Sequence, residues 1–157
     1  MMLSVIMAVS CLFVGCGCYH IQKDKIEEFY ETVVYSKGCL DVVAGYIYIC
    51  WYDAIYEDKY EGSIDSAVIC ALEDNAENLK IIKDNDAIIK ELYKKLMHSI
   101  FELDFLLEQE IKNVMSVYLD YYEFVVNVSG SFESFSASKE TLKKELASAL
   151  KDLQLEM

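Results

Sequence analysis

Apolar positions recur at intervals of three and four along most of this chain, the period of a helix that buries one face. From Ile21 the stripe runs through Ile26, Phe29, Tyr30, Val33 and Val34, with Lys and Glu between them. Gly38 reads as an interruption, after which the stripe resumes through Val43, Ile47, Trp51 and Ile55. The piece GYIYICWY also alternates as a strand would, and its Tyr, Ile and Trp favour strands. Helical patterns on both sides decide the segment as helix. Gly62-Ser63 then gives a stop and a new start, with Ser63 as cap and Ile64, Ala67, Val68, Ala71 and Leu72 behind it.

Asp84-Asn85-Asp86 reads as a polar break, followed by the longest uninterrupted segment, Ala87 to about Val128. Ile88, Ile89, Leu92, Leu96, Ile100, Leu103, Leu107, Ile111, Val114, Met115, Tyr118 and Tyr122 step along one side of it. A straight helix of that length would span about 60 Å, so a bend is expected between Glu102 and Gln109, where the run is apolar on more than one face. Residues 129–138, SGSFESFSAS, read as a Ser-rich loop. Ser138 is the expected cap of the last helix, with Glu140 in its first turn and Leu142, Leu146, Ala149, Leu150 and Leu153 as its seam. The pattern predicts an all-α fold: a single elongated antiparallel bundle of four or five helices, with no repeat and no linker that splits the chain.

The stretch before that bundle is different. No charged side chain occurs before Lys23, and MMLSVIMAVSCLFVGCGC is apolar or small throughout. It is short for a spanning helix, which needs roughly 20 apolar residues, and fits the apolar region of a secretory signal followed by small residues. At its end, Phe13-Val14-Gly15-Cys16 resembles the lipobox of bacterial lipoproteins. The resemblance implies cleavage before Cys16, a diacylglyceryl group on its thiol, and Gly15 as the small residue the peptidase accepts. Phe13 stands where the family prefers Leu, and no basic residue precedes the run. We therefore expect the true start to lie a residue or two upstream, where a basic residue would complete the pattern. The implied division is 1–15 signal peptide, 16–25 lipidated Cys and tether, and 26–157 the bundle. A retained anchor, a first core helix and a cleavable signal without lipid are the alternatives, and the resemblance reaches no further than about residue 18.

Charge narrows the partners. The 157 residues hold 27 Asp plus Glu against 14 Lys, with neither Arg nor Pro, for a net charge of -13. Such a surface repels phosphate, which argues against nucleic acid and against charge-driven docking on anionic lipid. The same field suits a basic protein partner, as an immunity or inhibitor protein would have. Membrane contact is expected through the lipid at Cys16, which places the bundle outside the cytoplasm in the bacterial envelope.

Candidate chemistry is sparse. With the signal removed and Cys16 acylated, Cys18, Cys39, Cys50 and Cys70 remain, and their pairing is open. Cys39 and Cys50 would lie about 16 Å apart on one helix and cannot bond. A Cys50–Cys70 bridge across the Gly62 turn is conceivable, against the reading of all four as small buried hydrophobes. His20 and His98 are not preceded three residues earlier by Glu, so a di-iron bundle is excluded. Asp84-Asn85-Asp86 matches a calcium loop for three residues only, with Ile89 and Lys95 where Gly and Glu are required. Neither GxSxG, a phosphate-binding Gly loop nor HExxH occurs. No cofactor, metal or catalytic residue is expected, and carboxylates such as Glu102 and Glu108 suggest no substrate class.

The unusual feature is aromatic. Tyr48, Tyr52, Tyr56 and Tyr60 repeat at four beside Trp51, and Tyr118, Tyr121, Tyr122 and Phe124 crowd a second segment. Rings with polar tips suit a groove for a sugar, peptide or protein partner, and they also suit the core of a bundle short of Leu. Tyr48, Trp51, Tyr52, Tyr56 and Tyr60 are the candidate partner surface of a non-enzymatic binding or scaffolding module.

Overall fold

A computed structural model describes the backbone of residues 2–98 and 104–157 and the side chains of residues 23–98 and 104–157. Phe13-Val14-Gly15-Cys16, Cys18, Ile100, Glu102 and Leu103 lie outside the described side chains. The elements are α1 (Met2–Tyr56), a 3-10 turn (Tyr60–Gly62), α2 (Ile64–Asp74), α3 (Ala76–His98), α4 (Phe105–Val126) and α5 (Phe132–Glu156). Among the described residues the fold is all-α, five helices packed against one another.

Contacts between helices fix their directions. On α1 Tyr46 meets Asp74 of α2, while Glu28, earlier on α1, faces Lys95, late on α3. The α2–α3 rod therefore runs antiparallel to α1. Ser36 and Asp41 of α1 meet Tyr118 and Tyr121 of α4 in the same order, so α4 is parallel to α1. Tyr48 stacks on Phe132, and Asp41 meets Lys143, so α5 returns antiparallel. Five helices thus make four rods, up, down, up and down, with the second rod broken at Asn75.

The core follows a seven-residue repeat. On α1, Ile26, Val33, Leu40, Ile47 and Ala54 form one buried row and Phe29, Ser36, Val43 and Cys50 the other. Ile82, Ile89 and Leu96 continue it on α3, Ile111, Tyr118 and Val125 on α4, and Leu146 and Leu153 on α5. That spacing keeps one seam facing its neighbours in a bundle of near-parallel helices. Each large apolar side chain in it contributes about 1.5–3 kcal/mol of burial. Two hydroxyl contacts cross between rods, Ser36 with Tyr118 and Tyr121 with Asp41. Tyr121 is fully buried and its hydroxyl donates to Asp41 Oδ1 at 2.8 Å; Asp41 also pairs with Lys37 at 2.7 Å. Burial, with Asp41 beside it, pushes the Tyr121 phenol far up.

Several boundaries differ from those the sequence suggested. Gly38 does not interrupt α1, which runs on through it and Gly45. Two glycines cost a helix about 1 kcal/mol each relative to Ala, less than the buried row on either side returns. Asp84-Asn85-Asp86 is no break: Asp86 lies inside α3 and holds Lys90, one turn on, at 2.7 Å, while Ile82 and Ile89 flank it in the core. The rod breaks at Asn75, whose Nδ2 donates to the Ala71 carbonyl at 3.0 Å and replaces a lost helical partner. The segment expected from Ala87 to Val128 is not one described helix, since α3 ends at His98 and α4 starts at Phe105 behind the Asp104 cap. Val34, Ile55 and Ile88, placed on buried stripes by period alone, are exposed.

Candidate functional site

The Ser-rich stretch is where the site is made, and there the expectation of a loop needs correction. α5 begins at Phe132, and Ser138 is inside it. Ser131 is the cap: its hydroxyl accepts from Ser134 N at 3.2 Å, and Ser134 Oγ accepts from Ser131 N at 2.9 Å. This reciprocal box satisfies two amides that a helix start otherwise leaves open. Gly130, at φ 94, turns the chain into it, and a Cβ there would come within 2.8 Å of Ser134 Oγ. The box puts Phe132 at the first helical position, against α1.

Phe132 gathers the α1 aromatics. Tyr48 stacks on it at 5.1 Å, and Trp51, Tyr52 and Tyr56 each lie 6.2 Å from it, ring centre to ring centre. Tyr52 and Tyr56 touch at 4.7 Å. Behind them Trp51 packs on Phe135, and Phe135 on Phe124, which ties the cluster to the core of α4 and α5. Tyr52 and Tyr56 are exposed, Tyr48 and Phe132 half-buried, Trp51 buried. Lys139 Nζ sits 4.2 Å over the Tyr48 ring, a cation held on an aromatic face.

Four of the five candidate residues are therefore together, and Tyr60 is elsewhere. Its hydroxyl donates to Cys50 Sγ at 3.3 Å and fixes the turn between α1 and α2. That turn is strained, with Asp58, Tyr60 and Glu61 at φ 50, 56 and 55. Extending the four-residue repeat past Tyr56 assumed a helix that has already ended. Phe132 escaped the sequence reading because it fell inside the presumed loop; Ser131, three residues before a second hydroxyl at Ser134, was the signal for it.

Beside the cluster, at the same end of the bundle, a cleft of about 510 Å³ opens between Trp51, Ile64, Asp65, Gly130, Phe132 and Glu133. A second, of about 490 Å³, shares Trp51, Ile64, Asp65 and Gly130 with it, so the two are halves of one groove. Trp51 lines both halves. Its Nε1 is buried and has no acceptor among the described residues. Asp65 lines both halves, and the chain leading to it, residues 53–65, carries five carboxylates with Asp65 included and one Lys, Lys59, which is bound to Asp53 at 2.7 Å. Glu133 adds another carboxylate, held below the usual range by its own backbone N–H and the Ser131 hydroxyl.

Cys39, Cys50 and Cys70 are free thiols. Burial raises the Cys39 and Cys70 thiols, Asp74 raising Cys70 further, which opposes the thiolate that nucleophilic or redox chemistry requires. His98 Nδ1 donates to the Lys94 carbonyl at 2.7 Å on an exposed face. Among the described residues no cluster of His, Cys, Asp and Glu could hold a metal ion. Lys23–Tyr56 is long and apolar enough to cross a membrane, yet 44% of its most apolar stretch is buried against other helices, as a core helix is. No family model matches this chain, and no curated protein or solved structure does either.

Proposed function

We propose that this chain is a lipid-anchored, extracytoplasmic bacterial binding module that does no chemistry itself. It engages a protein or peptide partner through the groove beside Tyr48, Trp51, Tyr52, Tyr56 and Phe132. The observation that carries the binding reading is the pairing of exposed and half-buried rings with an adjoining groove lined by Trp51 and Phe132. The anchor rests on the lipobox-like Phe13-Val14-Gly15-Cys16.

A second reading, an immunity or inhibitor protein for a basic partner, draws on Asp65 and Glu133 in the groove lining and on the net charge of -13. Rim charges of one sign raise association rates with the opposite charge and give binding that weakens with salt. Trp51 is the single Trp of the chain, so its emission reports the groove directly. Titration with an Arg- and Tyr-containing peptide at low salt is expected to shift that emission saturably, and an acidic peptide to leave it unchanged. Phe132→Ala should weaken the response about tenfold or more, as loss of a central aromatic anchor does. An unsaturable response, or one equal for both peptides, would remove the basic-partner reading. A saturable response indifferent to Phe132→Ala would remove the groove.

A further inference from the structure

The outward face of α1 lacks the polarity that a solvent-exposed helix face carries. Asp24, Glu27 and Glu31 begin that face in the usual way, charged and exposed. From residue 34 it changes. Tyr35 is 59% exposed, Val42 53%, Ile49 53% and Tyr56 58%, a strict seven-residue row on the side opposite Leu40, Ile47 and Ala54. A second row, Gly38, Gly45 and Tyr52, interleaves with it at steps of three and four. A Cβ built on Gly38 or Gly45 would meet nothing within 4 Å. α1 is thus apolar on both its inner and its outer side between residues 34 and 56, the mark of a helix covered all round.

We infer that this outer seam pairs with the same seam of a second copy of the chain. Three features point to a copy rather than to lipid. The seven-residue period is the period of helix-to-helix packing, and lipid contact has no need of it. The seam carries its own knobs, Val42 and Ile49, and its own holes, the open space over Gly38 and Gly45, so a two-fold axis matches one with the other. The area is adequate. With the neighbouring Val34, Tyr46 and Tyr52, all exposed, the face amounts to roughly 650 Å², approaching the ~800 Å² per partner of a stable interface and at the top of the usual patch on a monomer. The seam meets the aromatic cluster at Tyr52 and Tyr56, while Gly38, Val42, Gly45 and Ile49 lie outside the groove lining. Substitutions at Val42, Gly45 and Ile49 therefore test pairing without altering a residue that lines the groove.

The charges set the salt response. Each copy carries -13, so the apolar seam must overcome mutual repulsion, and added salt should tighten the pair. This is opposite to the behaviour expected of a basic partner in the groove, so either idea can fail without the other. The test is sedimentation equilibrium of the full chain in a density-matched detergent, at low and high salt. Two variants accompany it: Val42→Lys with Ile49→Lys, which charges the knobs, and Gly45→Leu, which fills a hole. Neither touches the core, and Gly45→Leu raises helix propensity, so helix content by circular dichroism should match wild type. Wild type is expected as a dimer, with at least tenfold weaker association in both variants and stronger association in salt. A monomeric wild type, whether or not it binds vesicles, would overturn the inference. So would variants that associate as wild type does, or a pair that salt dissociates.

Discussion

Tyr118 and Tyr121 are both fully buried on α4, and both reach across to α1, yet their hydroxyls are placed very differently. Tyr121 donates to the Asp41 carboxylate at 2.8 Å. Tyr118 meets the Ser36 hydroxyl at 3.4 Å, beyond the range of a good O–H···O bond. Replacing each with Phe removes one oxygen and leaves the ring packing intact. A hydrogen bond to a charged group is worth about 1.5–3 kcal/mol. Asp41 keeps Lys37 at 2.7 Å after the loss, so Tyr121→Phe should cost about 1.5–2 kcal/mol, the lower part of that range. Tyr118→Phe should cost no more than about 0.5 kcal/mol, because the bond it breaks is poor and the hydroxyl it removes was costly to bury. The assay is urea unfolding of the full chain in mild detergent, followed by far-UV circular dichroism. Unchanged slopes would show that only stability moved. Equal losses in the two variants, or a larger loss for Tyr118→Phe, would refute the placement of α4 against α1.

Other outcomes follow from single residues. Glu61→Gly should stabilise by about 0.5–1 kcal/mol, since Glu61 sits at φ 55 where glycine is at ease, whereas Glu77→Gly near the start of α3 should destabilise by up to about 1 kcal/mol; thermal melts of the two should move oppositely. Ser131→Ala should cost about 1 kcal/mol by opening the capping box. The Glu133 carboxyl is held low by its own backbone N–H and by Ser131, so what it contributes is complete above its unfolded pKa and is lost as pH falls through the lower folded one. NMR titration of that carboxyl should show its pKa rise towards the ordinary value in Ser131→Ala. Leu40→Ala, at a fully buried position of the central row, should cost about 2–5 kcal/mol in chemical unfolding.

The inner seam was legible because burial imposes a period and the period is written in residues such as Ile26, Phe29, Val33, Val43 and Ile47. Helix ends were less so, because a polar residue breaks a helix only when its side chain takes a backbone group's place in the helical ladder. Asp86 has Lys90 four residues on and stays inside α3. Asn75 reaches back to the Ala71 carbonyl and marks the real break, although nothing in its immediate neighbours singles it out. The site was half visible. Tyr48, Trp51, Tyr52 and Tyr56 lie on one helix, and their spacing alone groups them. Phe132 comes from a different rod, and its approach depends on where α5 starts, a matter of two serine hydroxyls. Tyr60 followed the same arithmetic as its predecessors and fell outside the cluster because α1 ends before it. The outer apolar seam was hidden by Gly38, which reads as an interruption when only one stripe is being traced.

The account depends most on where this bundle resides, and intact mass of the membrane-fraction protein, wild type beside Cys16→Ala, tests that directly. The expected wild-type mass is that of a chain beginning at Cys16 and carrying acyl groups, with that species lost in the variant. A full-length, unacylated wild-type mass would contradict the anchored module and return residues 1–18 to an anchor or to the fold itself.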